Sequence, residues 1–278
     1  MNFLEVMTLI RIALVQMDSR DDVEDNLIKV ERFIREAKVG GADLVAFPEF
    51  MNFLPFSKEK MYIEKEDGRT TKLLQKLAEE LDLVIHAGSI LIDSSMELPF
   101  NQSFIVEPDG SIKGRYSKLH LFDAKLPGGV SFKESELYRP GNEIVTTQVF
   151  AITVGMAICY DFRFSELFRI MTGMGAKIIF VPGNFTRSTG LTHLKPVLRA
   201  RAIENEVFII SSDQTGRKKK TESFGHSMVI APDGQVVALK KMGEGLLFYD
   251  LDIGMVDRQR ERLPLLHHAR EDVYSRYR

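Results

Sequence analysis

The chain has 278 residues, 44% hydrophobic and 27% charged, an ordinary globular composition with room for one large α/β domain or two smaller ones. A formal net charge of −2 and a pI near 6.3 leave no basic surplus for nucleic acid, and the run Lys218-Lys219-Lys220 reads as a solvated loop tip. Cys159 is the single cysteine, which rules out an intrachain disulfide framework and fits a reducing compartment. The N-terminal residues lack a basic leader before a long apolar core, and no apolar run is long enough to span a bilayer. The expectation is a cytoplasmic protein without membrane or nucleic-acid partners.

Ile10 to Val15 predicts a first strand, apolar except for Arg11 and so buried on both faces, with residues 1–8 as a loose extension. Residues 26–39 predict a helix with Leu27, Val30, Phe33, Ile34 and Ala37 on one face, stopped by Gly40-Gly41. A buried strand over 44–47 ends at Pro48-Glu49. A helix over 70–82 turns Leu73, Leu74, Leu77 and Leu81 inward, and a single strand runs from Leu83 to Leu91. A hairpin follows, with strands 103–106 and 111–116 around Pro108-Asp109-Gly110. Lys118 to Phe122 comes next, and the Gly-, Pro- and charge-rich residues 123–142 read as a long functional loop. Strands over 143–150 and 151–158 lead to Cys159 at a sharp turn, with a helix from Ser165. A strand over 177–181, a helix from about Thr189 to Asn205, a strand over 207–211, a second hairpin at Pro232-Asp233-Gly234 and a short charged helix ending at Pro264 complete the pattern. Residues 263–278 read as a tail.

The second half echoes the first. Residues 41–48, Gly-Ala-Asp-Leu-Val-Ala-Phe-Pro, resemble residues 175–182, Gly-Ala-Lys-Ile-Ile-Phe-Val-Pro, and the two Pro-Asp-Gly turns correspond. This predicts two related strand–helix halves packed sheet to sheet in one domain. Glu49 and Asn184-Phe185 would then sit at equivalent strand ends across one cleft.

Three residues at such strand ends make a reaction together. An amide carbon is a poor electrophile and needs a strong nucleophile, which the Cys159 thiol supplies once a base takes its proton. Unpaired backbone N–H groups at the start of the following helix favour its thiolate. Glu49 serves as that base, returns the proton to departing ammonia and then deprotonates the resolving water. Lys118 and the backbone N–H of Tyr160 offer positive charge to the oxyanion. Singly, each is an ordinary surface charge or a packed thiol. A metalloenzyme is disfavoured, because one cysteine and no His-Glu-x-x-His run supply no ligand set. Gly-x-Ser-x-Gly and phosphate-loop motifs are missing, so a serine hydrolase and a nucleotide binder lose ground. His120 and His226 read as strand or loop residues hydrogen-bonded near the cleft. A Cys-His protease would not need Glu49. A non-enzymatic redox-sensing scaffold, with the lone thiol as a switch, would need none of these charges.

The pattern resembles the nitrilase superfamily of carbon–nitrogen hydrolases from Arg11 to about Tyr277. The matching segments are Phe47-Pro-Glu-Phe50, Lys118-Leu-His-Leu-Phe-Asp123, Pro140-Gly141, Cys159-Tyr-Asp-Phe-Arg-Phe164, Asn184-Phe185, Arg199-Ala-Arg-Ala-Ile-Glu-Asn205 and Gly225-His-Ser227. The resemblance implies a single α/β domain over 1–278 with a four-layer αββα sandwich, assembled as a homodimer or higher oligomer. It implies a Glu49-Lys118-Cys159 triad, a second glutamate at Glu134 and no cofactor or metal. It also implies an amidohydrolase that cleaves a small, carboxylate-bearing amide through a cysteine thioester. N-carbamoyl and nitrile hydrolysis are the alternatives served by the same triad. Within the superfamily the chain is most similar to the branch holding ω-amidase and deaminated-glutathione amidase, which places Arg163 at the substrate carboxylate and lines the pocket with Phe185 and Thr189. For Arg163 the alternative is a structural ion pair with Glu166. Two features depart from that branch. The loop Phe50-Met-Asn-Phe-Leu-Pro-Phe56 is one residue longer and ends in Phe rather than Tyr, and Arg187 is an extra cation.

Overall fold

In the computed structural model the described residues are 9–55, 60–126, 129, 131–218 and 221–277; the N-terminal extension, Phe56, Lys219 and Lys220 lie outside them. The strands are β1 (Leu9–Gln16), β2 (Leu44–Ala46), β3 (Val84–His86), β4 (Ile90–Ile92), β5 (Phe100–Val106), β6 (Ile112–Ser117), β7 (Asp123–Lys125), β8 (Ser131–Lys133), β9 (Thr146–Val149) and β10 (Ile152–Met156). They continue with β11 (Ile178–Phe180), β12 (Phe208–Ser211), β13 (Thr215–Arg217), β14 (Glu222–Phe224), β15 (Ser227–Ile230), β16 (Val236–Lys240) and β17 (Gly245–Asp252). The helices used below are α1 (Val23–Val39), α2 (Arg69–Leu81), α3 (Ser165–Gly173), α4 (Arg187–Thr189), α5 (Lys195–Asn205) and α6 (Gly254–Arg262).

Two large sheets carry the fold. One runs β17-β1-β2-β3-β5-β4 with β6 on β5, the other β16-β15-β12-β11-β10-β9. The halves repeat one another. β1, β2 and β3 are parallel neighbours with β5 antiparallel beyond them, as β10, β11 and β12 are parallel with β15 antiparallel. Period-two alternation sets the layers. Ile10, Ile12 and Leu14 of β1 share one core with Val154 and Met156 of β10 and Ile178 and Phe180 of β11. Ala13 and Val15 point to the other face and join Val30, Phe33 and Ile34 of α1 and Leu74 and Leu77 of α2. Helices on the outside and two sheets within give the four-layer αββα sandwich. The α1 stripe is the one its spacing predicts, and the Asp22 side chain caps it on the Asp25 N–H at 3.2 Å.

Several elements differ from the sequence expectation. The strand over 83–91 is two strands, because the chain turns at Gly88, where φ is +60° and a Cβ would lie 2.1 Å from the Pro48 carbonyl oxygen. The 123–142 loop contains the β7–β8 hairpin and a 3₁₀ turn, Glu134–Glu136. The helix expected from Thr189 starts at Arg187 and passes through a π turn, Gly190–Leu194. β17, unforeseen, pairs antiparallel with β1 along its whole length. Lys218 is no solvated tip: its ammonium is buried against Asp18 and the Ser19 carbonyl, and that burial pulls its pKa down to about 8.

Candidate active site

Glu49 stands just past β2, and Asn184 just past the equivalent β11. The two halves meet there: the Asn184 N–H donates to Glu49 Oε2 at 3.1 Å. The expected placement of these strand ends across one cleft is observed. Buried side chains fix the Glu49 turn. Ser89 receives the Phe50 N–H on its hydroxyl at 3.2 Å, and Gln214 Nε2 donates to the Glu49 carbonyl at 2.9 Å. Asn101 Nδ2 donates to Glu49 Oε1 at 2.9 Å.

Lys118 follows β6 and is held by its backbone on both sides, its N–H on the Asn101 carbonyl and its carbonyl taking the Gly141 N–H, each at 2.9 Å. The wholly buried ammonium is 2.9 Å from Glu49 Oε1 and 3.1 and 2.8 Å from the two oxygens of Glu134. Burial opposes the ammonium, but the Glu134 and Glu49 charges outweigh it and hold Lys118 well above the usual lysine range. Lys118 is therefore a fixed cation at neutral pH. Glu134 also accepts the Phe122 N–H at 2.8 Å, and burial pushes its carboxyl up against the pull of Lys118.

Cys159 opens a 3₁₀ turn, Cys159–Arg163, with φ at +47° and its N–H on the Pro182 carbonyl at 2.8 Å. A non-glycine residue in this region is strained, and the flanking strand end and turn hold it there. The sequence expectation of a favoured thiolate is corrected. Burial and then the Glu49 charge push the thiol well above its usual range, and Lys118 and the Asn184 N–H only partly offset them. A single 3₁₀ turn supplies too little dipole to overcome a buried carboxylate.

Glu49, Glu134 and Cys159 line one cavity of about 570 Å³, its open mouth included; Lys118, fully buried, is outside the lining. Phe50, Phe122, Phe132, Tyr160, Phe162 and Phe185 give aromatic walls, and Asn184, Thr186, Thr189, Thr221 and Ser223 a hydroxyl- and amide-rich side. Among the described residues no acceptor meets the Tyr160 N–H. Arg163 lines the cavity too. Its guanidinium lies over the Phe162 and Tyr160 rings, 4.7 and 5.7 Å from their centroids, and bonds His193 Nδ1 at 3.2 Å. Burial lowers its pKa. Arg187 is not in the lining; it pairs with Glu222 at 3.5 Å. His120 bonds Asp161 and His226 bonds the Phe224 carbonyl; neither lines the cavity.

The carbon-nitrogen hydrolase family profile matches residues 11–261. The chain belongs to that family. This carbon-nitrogen hydrolase is 33% identical to human ω-amidase NIT2 over 97% of its own length and 98% of the relative. It is 34% identical to ω-amidase NIT2-B of Xenopus laevis over the same shares. Among solved structures it superposes on the Caenorhabditis elegans NitFhit protein with a TM-score of 0.87 at 33% identity, covering 96% of this chain and 66% of that one. On Saccharomyces cerevisiae Nit3, a member of branch 10 of the nitrilase superfamily, the TM-score is 0.83 at 28% identity, with 92% and 95% covered. The protein is thus a hydrolase of carbon–nitrogen bonds other than peptide bonds. Among the described residues no helix is long and apolar enough to cross a membrane, and no three His, Cys, Asp or Glu side chains group as metal ligands.

Sequence reasoning missed Asn101, Gln214 and Ser89, which orient Glu49. The available signal was polarity inside strands: Asn101-Gln102-Ser103 interrupts the otherwise apolar β5 and is buried, and buried polar groups are kept where they have partners.

Proposed function

We propose that this hydrolase converts a small, carboxylate-bearing amide to its acid and ammonia through a thioester on Cys159. The observation that carries the reading is the buried Lys118 ammonium clamped between Glu49 and Glu134, two carboxylates that line one cavity with Cys159. A thiol held this high in pKa is neutral at rest, so Glu49 takes its proton as the sulfur adds to the carbonyl carbon. The oxyanion is stabilised by the Lys118 ammonium and the Tyr160 N–H. Collapse breaks the C–N bond. Glu49 returns the proton to the leaving nitrogen, ammonia departs, and the acyl group stays on sulfur. Water then adds to the thioester as Glu49 takes its proton. The C–S bond breaks, the proton returns to sulfur, and the acid leaves. Glu134 holds Lys118 in place and lends its charge to keep the ammonium protonated.

Arg163 suits the substrate carboxylate, since its half-buried charge meets a histidine and two rings. Phe185 and Thr189 bound the acyl chain. Exposed Ile170 on α3, Met174 just past its end and Ile203 on α5 support a homodimer through those helices. Ammonia release from paired amides, with and without a distal carboxylate, tests the reading. Turnover should vanish in Cys159→Ser, and in Arg163→Gln the KM should rise at least about 10-fold for the carboxylate series alone. An inert panel with the thiol intact contradicts it.

A further inference from the structure

Asp161 is wholly buried and lies outside the cavity lining, yet it collects hydrogen bonds from three stretches of chain. Its Oδ2 accepts the Tyr116 hydroxyl at 2.7 Å, from the end of the strand leading to Lys118, and the Ile158 N–H at 2.8 Å, from the residue before Cys159. Its Oδ1 accepts the His120 N–H at 3.0 Å and His120 Nδ1 at 2.7 Å, the latter requiring the hydrogen on that nitrogen. Lys118 is thus bracketed, with Tyr116 two residues before it and His120 two residues after it on one carboxylate, whose remaining bond goes to the nucleophile turn. The imidazole stacks on Phe164 with centroids 3.6 Å apart, closing the same turn from its far end. Tyr116 is fully buried, and burial with the neighbouring Asp161 charge keeps its phenol protonated and donating.

We propose that Asp161 is a positioning residue, which sets the distance between the oxyanion-stabilising Lys118 and the Cys159 sulfur by tying both backbones to one carboxylate. The inference rests on the catalytic roles assigned above to Lys118 and Cys159. Four donors satisfy an ionised carboxylate from both sides. An asparagine has two acceptor sites on one oxygen and an NH₂ that cannot accept, so Asp161→Asn leaves the Ile158 N–H or the His120 donors unmet and lets the two segments drift. Sub-ångström misplacement of this kind is felt in the chemical step.

The experiment compares wild type, Asp161→Asn and Tyr116→Phe, with kcat normalised to the Cys159 thiols titrated by chloroacetamide and folding followed by thermal melting. Asp161→Asn should lower kcat per titrated thiol about 100-fold with KM within about 3-fold, and Tyr116→Phe should lower it less, in the same direction. A purely structural carboxylate would lower the melting temperature and the number of titratable thiols but leave kcat per thiol unchanged; that result, or an effect confined to KM, overturns the proposal. Where Asp161→Asn does not fold, Tyr116→Phe decides, an unchanged kcat per thiol counting against it. Cys159→Ala is the control for the underlying reading: an active Cys159→Ala sinks the thioester mechanism, whereas an inactive one with unchanged Asp161→Asn sinks only this inference.

Discussion

Replacing Lys118 by Met removes a wholly buried cation from between two carboxylates. The apolar chain refills the volume, but Glu49 and Glu134 are left facing one another without the charge that bridges them. Breaking a buried pair in this way costs about 3–5 kcal/mol, mostly as an uncompensated buried charge. One carboxyl can escape by taking a proton, so its folded-state pKa lies above its unfolded value, and the penalty is largest at neutral pH and shrinks as the pH falls through that raised value. Adding Glu134→Gln removes the repulsion and leaves Glu49 its donors from Asn101 and Asn184. The double variant should therefore recover at least half of the lost stability. Activity should not return, because the oxyanion still lacks its cation, a loss of about 100-fold or more in kcat. Urea denaturation at pH 5.5 and 7.5 with ammonia release separates the two effects. A Lys118→Met protein within about 1 kcal/mol of wild type at pH 7.5, or a double variant with restored turnover, would refute the reasoning.

The charges around the thiol give two opposed shifts. Glu49→Gln removes a charge that raises the Cys159 pKa, so the pH midpoint of chloroacetamide alkylation should fall, while Lys118→Met should raise it; movement in one direction for both would contradict the electrostatic account. His86 is fully buried, stacked on Phe180 with ring centroids 4.5 Å apart, and burial depresses its pKa to about 3. The unfolded chain takes up a proton there from about pH 6.5 downward and the folded chain does not, so this residue drains stability as the pH falls from 6.5 to 3, by as much as about 5 kcal/mol. In His86→Gln the acid dependence measured by chemical denaturation should flatten over that interval; an unchanged slope would assign it to other groups.

Much of this architecture is legible in the chain because its signals are local. The α1 stripe from Leu27 to Ala37 and the β1 alternation follow from periodicity, and the matching Phe47-Pro48 and Val181-Pro182 strand ends point to the two-fold repeat that brings Glu49 to Asn184. What escapes is non-local. β17 alternates only over Tyr249 to Asp252 and is specified by pairing with β1 at the other end of the chain, including the Arg11–Asp250 ion pair at 3.0 Å. Lys218 looks solvated within a run of lysines and is buried only because Asp18 and Ser19 come to meet it. The thiol's electrostatics could not be read from the turn alone, since a carboxylate from the other half of the fold decides them.

Intact mass spectrometry of Glu49→Gln incubated with carboxylate-bearing amides decides whether the acyl group passes through Cys159. An adduct equal to the acyl group should form slowly, be lost on treatment with hydroxylamine and be absent from Glu49→Gln/Cys159→Ala. A wild-type enzyme that turns the same amides over while no variant ever carries acyl mass on Cys159, or an adduct mapped to another residue, would contradict the thioester route.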